Sequence, residues 1–356
     1  MNTHTDRPAA LRRFVETRLG QPNLDIERAS ADASFRSYWR VSRHGKDVGS
    51  PSTWVVMDAP PDKEDLGPWL DVGARLRNAG LHAPEIFAVD AQLGFVLMED
   101  LGTRTYLPEL NIQSAGALYA DALDALSRMQ REVQVNGLPD YDRQRLVDEM
   151  RLLPTWFLER HLGYKPSAEE TKIIEAAFAF LAESAEEQPR AFVHRDYHSR
   201  NLLLMPRNDT GADSGILHNP AIIDFQDAVV GPVTYDLVSL LRDCYIEWDH
   251  EHVEGWAESF RMRLQSSHQI GPEIDETRFM RWFDLMGLQR HLKVLGIFCR
   301  LWYRDGKDQY LNDLPLVWRY TVGVAVHYPE LGGLLELLER AMDRRDIRSV
   351  RESATS

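Results

Sequence analysis

Two short stretches of the chain carry residue types that could transfer a phosphoryl group. One is His194-Arg195-Asp196-Tyr197-His198-Ser199-Arg200-Asn201; the other is Ile222-Ile223-Asp224-Phe225-Gln226. The first fits the pattern H-R-D-x-x-x-x-N, in which the Asp serves the attacking hydroxyl and the Asn a metal ion, and the second stands where a metal-holding D-F-G would stand. Moving the γ-phosphoryl group of ATP needs one carboxylate near the acceptor hydroxyl and oxygen ligands for Mg²⁺. Asp196 is placed for the first task, Asn201 and Asp224 for the second. Mg²⁺ takes one or two carboxylate or amide oxygens and completes its octahedron with phosphate and water, so this pair suffices.

Such residues need rigid supports. Phe192-Val193 reads as a buried strand entering the first loop and Leu202-Leu203-Leu204 as a strand leaving it. Ala221-Ile222-Ile223 is a further strand ending at Asp224, and 207–219 is polar enough for a loop. Upstream, apolar spacing predicts a helix over 8–19, β-like runs at 25–29, 37–41 and 54–57, a helix over 68–78 closed by Gly80, and strands at 85–89 and 94–98. That is a five-stranded sheet with one helix in its middle. From 112 onward the period turns helical, with candidates at 112–132, 143–161, 168–186, 234–246, 252–266, 276–300 and 330–343. The expectation is an α+β, two-lobed, protein-kinase-like fold: a small β-rich lobe over 1–98, a hinge at 99–102, a mostly helical lobe over 103–345, and a tail over 346–356.

Composition narrows the partners. The 356 residues suffice for two cores, and a net charge of −14 argues against nucleic acid, which would need a basic face. Cys244 and Cys299 are far apart, so neither a zinc site nor a disulfide framework is indicated. Met1 to Ala10 has no apolar signal region and no run approaches the length of a membrane span, so a cytoplasmic home is expected. His250-Glu251-His252 resembles a metal fragment, but alternate residues on a helix face apart, so it reads as surface.

The loop from His194 to Asn201, Ile223-Asp224 and Gly231-Pro232-Val233-Thr234-Tyr235-Asp236-Leu237 resemble the aminoglycoside phosphotransferase and choline kinase superfamily. Ala31-Asp32-Ala33-Ser34-Phe35-Arg36, Val55-Val56-Met57-Asp58-Ala59-Pro60-Pro61 and the run from Met286 to Phe298 are similar, more narrowly, to bacterial N-acetylmuramate/N-acetylglucosamine anomeric kinases of cell-wall recycling. The resemblance covers about residues 30 to 340. It implies ATP and Mg²⁺ as cofactors, an amino sugar as substrate, the sugar 1-phosphate as product, and no partner in nucleic acid or membrane.

The pattern departs from kinases in the first lobe. The third strand, Trp54-Val55-Val56-Met57-Asp58, lacks the usual phosphate-binding Lys, and the nearest acid on the following helix is Asp71. The glycine-rich loop is replaced by Ser30 to Phe35. Ser34 and the Arg36 guanidinium are therefore candidate phosphate contacts. Met98, Glu99 and Leu101 are expected around adenine, with the backbone of Glu99 and Leu101 at its edge. His194 and Asp236 are expected to support the catalytic loop. Asp227 is a candidate contact to metal water or sugar hydroxyls. Arg290, Lys293 and Arg300 recur at spacings of three and seven, sharing a helix face that could receive a lactyl carboxylate. Three other functions stay open: an aminoglycoside kinase, a choline-type kinase with an aromatic cage, and a nucleotide-binding pseudokinase, against which Asp196, Asn201 and Asp224 argue.

Overall fold

The computed structural model describes residues 6–31, 35–43, 53–206 and 217–350. These divide into two compact units, Met1–Pro108 with Asn201–Asp227, and Glu109–Arg200 with Ala228–Ser356.

In the first unit, helix α1 (Arg7–Leu19) starts at Asp6, whose carboxylate accepts the Ala9 N–H, and stops at Gly20 with φ +65°. The strands are β1 (Asp25–Ala31), β2 (Ser37–Ser42), β3 (Thr53–Asp58), β4 (Leu81–His82), β5 (Ile86–Asp90) and β6 (Phe95–Glu99), with helix α2 (Leu66–Asn78) after β3. Five of them form an antiparallel sheet in the order β1-β2-β3-β6-β5. Ala10, Leu11, Phe14 and Val15 recur at helical spacing on α1 and pack on Val41, Trp54, Val56, Phe95 and Leu97 of the sheet. Each such large side chain contributes about 1.5–3 kcal/mol by leaving water. The expected sheet and its intervening helix are present.

The units do not follow the expected boundary at 99–102. Strand β4 pairs in parallel with Leu217–Ile222, which pairs antiparallel with Leu202–Leu203. Those hydrogen bonds assign the stretch from Asn201 to Asp227 to the unit that holds the sheet.

The second unit is mostly helical, and its core surrounds the 30-residue helix Glu276–Asp305. That helix passes so close to its neighbour that a Cβ on Gly296 would lie 2.4 Å from the Leu152 carbonyl carbon, so only glycine fits. The helix expected over 143–161 is two: an α-helix Arg143–Met150 and a π-helix Leu153–Leu162. Pro154, which has no N–H to donate, stands at the junction. The helix expected over 234–246 is only Tyr235–Leu241. It ends before Asp243, whose carboxylate accepts hydrogen bonds from backbone N–H groups outside the helix. An additional helix, Leu314–Ala325, lies where none was expected.

Candidate active site

In the second unit, strand Arg190–Val193 pairs with Val229–Pro232 and leads into the loop that carries Asp196. Two carboxylates seven residues apart fix this loop. Asp236, fully buried, accepts the N–H of His194 at 2.6 Å and of Arg195 at 3.0 Å. Asp243 accepts the Ser199 N–H at 3.0 Å and the Ser199 hydroxyl. Burial pushes Asp236 up to about 7 in spite of its two donors. Between these anchors the His194 ring accepts the Asp196 N–H at 3.2 Å through Nδ1, and the Tyr197 hydroxyl donates to the Ala122 carbonyl at 2.8 Å. Arg195 is held at φ +79°, a left-handed conformation that costs a non-glycine residue about 1–3 kcal/mol and persists only when its surroundings dictate it.

The Asp196 side chain keeps 42% of its surface exposed. Loss of water alone would raise its pKa, but Arg290, His198, Lys293 and His194 outweigh this and hold the carboxyl below the usual range. Arg290 and Lys293, expected on a face that could receive a lactyl carboxylate, do lie on one helix face. Both are buried, and both donate to the Tyr235 hydroxyl at 3.1 Å. Lys293 also pairs with Glu149 at 2.8 Å, and Glu149 pairs in turn with the Arg195 guanidinium and the Tyr141 hydroxyl. Arg300 is half-buried and pairs with no carboxylate among the described residues; burial beside Arg304 lowers its pKa. Together with Glu149 and Arg195 it lines a depression of about 470 Å³.

In the first unit, Asn201 and Asp224 come together. The Ile223 N–H donates to the Asn201 carbonyl at 3.1 Å, and the Asn201 amide lies 3.3 Å from Asp224 Oδ2. The Gln226 amide donates to Asp224 Oδ1 at 2.9 Å. Asp224 itself has φ +64°, a second non-glycine residue in a left-handed conformation. A hard carboxylate beside an amide at the end of a strand fits Mg²⁺, which needs little more from the protein. Leu101, Leu203 and Ala221 form an apolar cluster in the same unit, with Met205 and Ile223 against it. Met98 is buried on β6. The Glu99 N–H is donated to the Glu85 carbonyl at 2.8 Å, so it is not free for an adenine edge. Asp227 is exposed, Arg36 is half-buried just before β2, and Ser34 lies outside the described residues. Asp71 pairs with Arg75 of its own helix.

Several positioning groups were not found by sequence reasoning. Trp69 on α2 lies against Phe225 with ring centroids 5.3 Å apart, and a Cβ on Gly73 would meet the same ring at 3.2 Å. Arg40 on β2 grips Asp100 with two hydrogen bonds, of 2.8 and 2.9 Å. Both ring nitrogens of His82 face acceptors, the Glu99 carboxylate and the His218 carbonyl. Burial opposes its protonation, but those partners prevail and raise its pKa. Asp243 had a faint signal, an acid closing the apolar run Leu237 to Leu241. Glu149 and Trp69 had none.

A profile of the phosphotransferase enzyme family matches residues 25–280. The chain belongs to this family. Phosphotransferases of similar sequence include three proteins named N-acetylmuramate/N-acetylglucosamine kinase. The one from Pseudomonas aeruginosa is 41% identical over 91% of each chain. That from Pseudomonas putida is 40% identical over 89% of this chain and 88% of its own. That from Neisseria meningitidis is 37% identical over 93% and 95%. Among solved phosphotransferase folds, a choline/ethanolamine kinase family protein from Mesorhizobium loti aligns with a TM-score of 0.61 at 14% identity, covering 97% of this chain and 99% of that one. An ADP-bound aminoglycoside phosphotransferase aligns at 0.56 and 13%, covering 89% and 98%. These two support the two-lobed kinase-like fold and leave the acceptor open.

If Asp224 is a ligand, Asp224→Ala should remove the gain in ATP affinity that Mg²⁺ confers on a phosphotransferase. Calorimetric titration of ATP with and without Mg²⁺ measures that gain; a variant that retains it in full would show that Asp224 is no ligand.

Proposed function

We propose that this phosphotransferase moves the γ-phosphoryl group of ATP to the anomeric hydroxyl of N-acetylmuramate and N-acetylglucosamine, yielding sugar 1-phosphates that return to peptidoglycan synthesis in the cytoplasm. The observation that carries this reading is near-full-length similarity, at 37–41% identity, to three kinases named for those two sugars. Asp196, ionised at neutral pH, accepts or orients the proton of the acceptor hydroxyl. An anomeric hydroxyl is more acidic than an ordinary alcohol, so a weak base serves. Asn201 and Asp224 would hold Mg²⁺, which supplies positive charge to the phosphates when bound. Leu101, Leu203 and Met98 offer adenine apolar surface, and Ser34 and Arg36 are the candidates to meet the phosphates. Asp227, exposed two residues after Phe225, remains a candidate for sugar hydroxyls.

Of the three cations considered for the lactyl carboxylate, Arg290 and Lys293 are occupied by buried partners, which favours Arg300. Losing one charge-assisted hydrogen bond to that carboxylate costs about 1.5–3 kcal/mol. Arg300→Ala should therefore lower kcat/KM for N-acetylmuramate by roughly 10- to 150-fold and leave N-acetylglucosamine, which has no carboxylate, nearly unchanged. An unchanged ratio between the two sugars removes Arg300 from the site. The function itself is tested by ADP release with N-acetylmuramate, N-acetylglucosamine, glucose, kanamycin and choline, and by phosphorus NMR of the product. Turnover confined to kanamycin or choline, or phosphate on another hydroxyl, overturns the reading.

A further inference from the structure

We propose that Arg290 is a positioning residue for phosphoryl transfer, acting through Asp196 by locking the backbone that presents it. This rests on the reading of Asp196 as the group that serves the acceptor hydroxyl. The left-handed residue Arg195 immediately precedes Asp196 and must be held by what surrounds it. Its N–H is fixed by Asp236 at 3.0 Å. Its carbonyl is fixed by Arg290 Nη1, also at 3.0 Å. That carbonyl belongs to the peptide bond that enters Asp196, so its orientation sets the direction in which the Asp196 side chain leaves the loop. The other terminal nitrogen, Nη2, lies 4.0 Å from Asp196 Oδ1. One guanidinium thus fixes the peptide and faces the carboxylate it carries.

The guanidinium is itself oriented. Arg290 is 5% exposed, so water does not readily replace its bonds. Nη1 also donates to the Tyr235 hydroxyl at 3.1 Å, and the guanidinium carbon lies 5.4 Å from the centre of the same ring. Lys293, three residues on, donates to that hydroxyl and pairs with Glu149, which also holds the Arg195 side chain. Arg195 is therefore gripped through its N–H by Asp236, through its carbonyl by Arg290 and through its side chain by Glu149. A lysine at 290 would retain a charge but could not place one nitrogen on the carbonyl and another by the carboxylate.

The test compares Arg290→Met, Arg290→Lys and Asp196→Asn in ADP release with N-acetylglucosamine, whose lack of a carboxylate separates loop positioning from carboxylate binding. If the wild type does not use that sugar, the substrate reading has failed and the comparison is run with the acceptor that the panel identifies. A misplaced reacting group costs on the order of 10²-fold, so Arg290→Met should lose about that in kcat while its KM for ATP stays within about twofold. Arg290→Lys should lose about tenfold, since charge persists without the fork. If the Met variant fails to fold by circular dichroism, the Lys variant decides. Unchanged kcat in every folded variant, or a rise in KM alone, overturns the inference. Near wild-type turnover in Asp196→Asn would overturn the base assignment instead.

Discussion

Asp196→Asn is expected to reduce turnover by about 10²–10⁴-fold, the usual cost of removing an acid–base group, with ATP affinity nearly intact. The substitution keeps the shape of the side chain but removes its negative charge and its capacity to take a proton. Its surroundings need not change, because the loop is anchored through Asp236 and Asp243 and the Arg195 peptide through Arg290. The measurement is kcat beside the dissociation constant for ATP. Turnover close to wild type would remove Asp196 from the chemistry. A corollary concerns pH. The Asp196 carboxyl is held below the usual carboxylate range, so it stays ionised as the medium becomes mildly acidic. Any fall in activity set by Asp196 should then lie below about pH 4, the ordinary carboxylate midpoint.

The second large effect is expected at Glu149. Its side chain is 13% exposed and pairs with two cations, Lys293 and Arg195, and with the Tyr141 hydroxyl. Glu149→Gln keeps the volume but leaves Lys293 and Arg195 without their shared anion. Breaking a buried pair from one side costs about 3–5 kcal/mol, and that loss is expected in urea unfolding followed by tryptophan fluorescence. The sign with pH follows from the pKa. Burial raises that of Glu149, but Lys293 and Arg195 prevail and lower it in the folded protein. Its stabilisation is therefore present above the unfolded value of about 4.3 and is lost as pH falls through the lower folded value. The gap between variant and wild type should accordingly narrow in strong acid. A loss below about 1 kcal/mol at neutral pH, the size of an exposed pair, would mean the cluster is not desolvated. Adding Lys293→Met to Glu149→Gln should recover part of the loss, because one uncompensated cation leaves with it.

What the sequence revealed and what it withheld differ by distance along the chain. Asp196 and Asn201 share one loop, and Asp224 ends the apolar run that precedes it, so local spacing was enough to single them out. The five-stranded sheet was equally local, since each strand showed its own apolar run. Arg290 and Lys293 were assigned correctly to one helix face, but the buried partners that hold them were not visible in their spacing. A charge on an apolar helix has the same spacing whether water or Glu149, over 140 residues away, satisfies it. The break in the 143–161 helix was marked by Pro154, but no local pattern marked its continuation as a π-helix, which begins where the chain passes the long helix at Gly296. Leu314–Ala325 was missed because Pro315, Gly323 and three valines give it weak helical propensity, and burial in the core overrides that.

The contact between Trp69 and Phe225 bears on how the enzyme responds to its medium. Kinases commonly tie this helix to the nucleotide site by a Lys–Glu ion pair. Here β3 has no Lys, and α2 meets the residue after Asp224 through two apolar rings and the bare backbone of Gly73. Mobile ions screen an exposed ion pair but have little hold on two packed apolar rings, which carry no net charge and release no proton. The register between α2 and Asp224 is thus insulated from changes in ionic strength and pH.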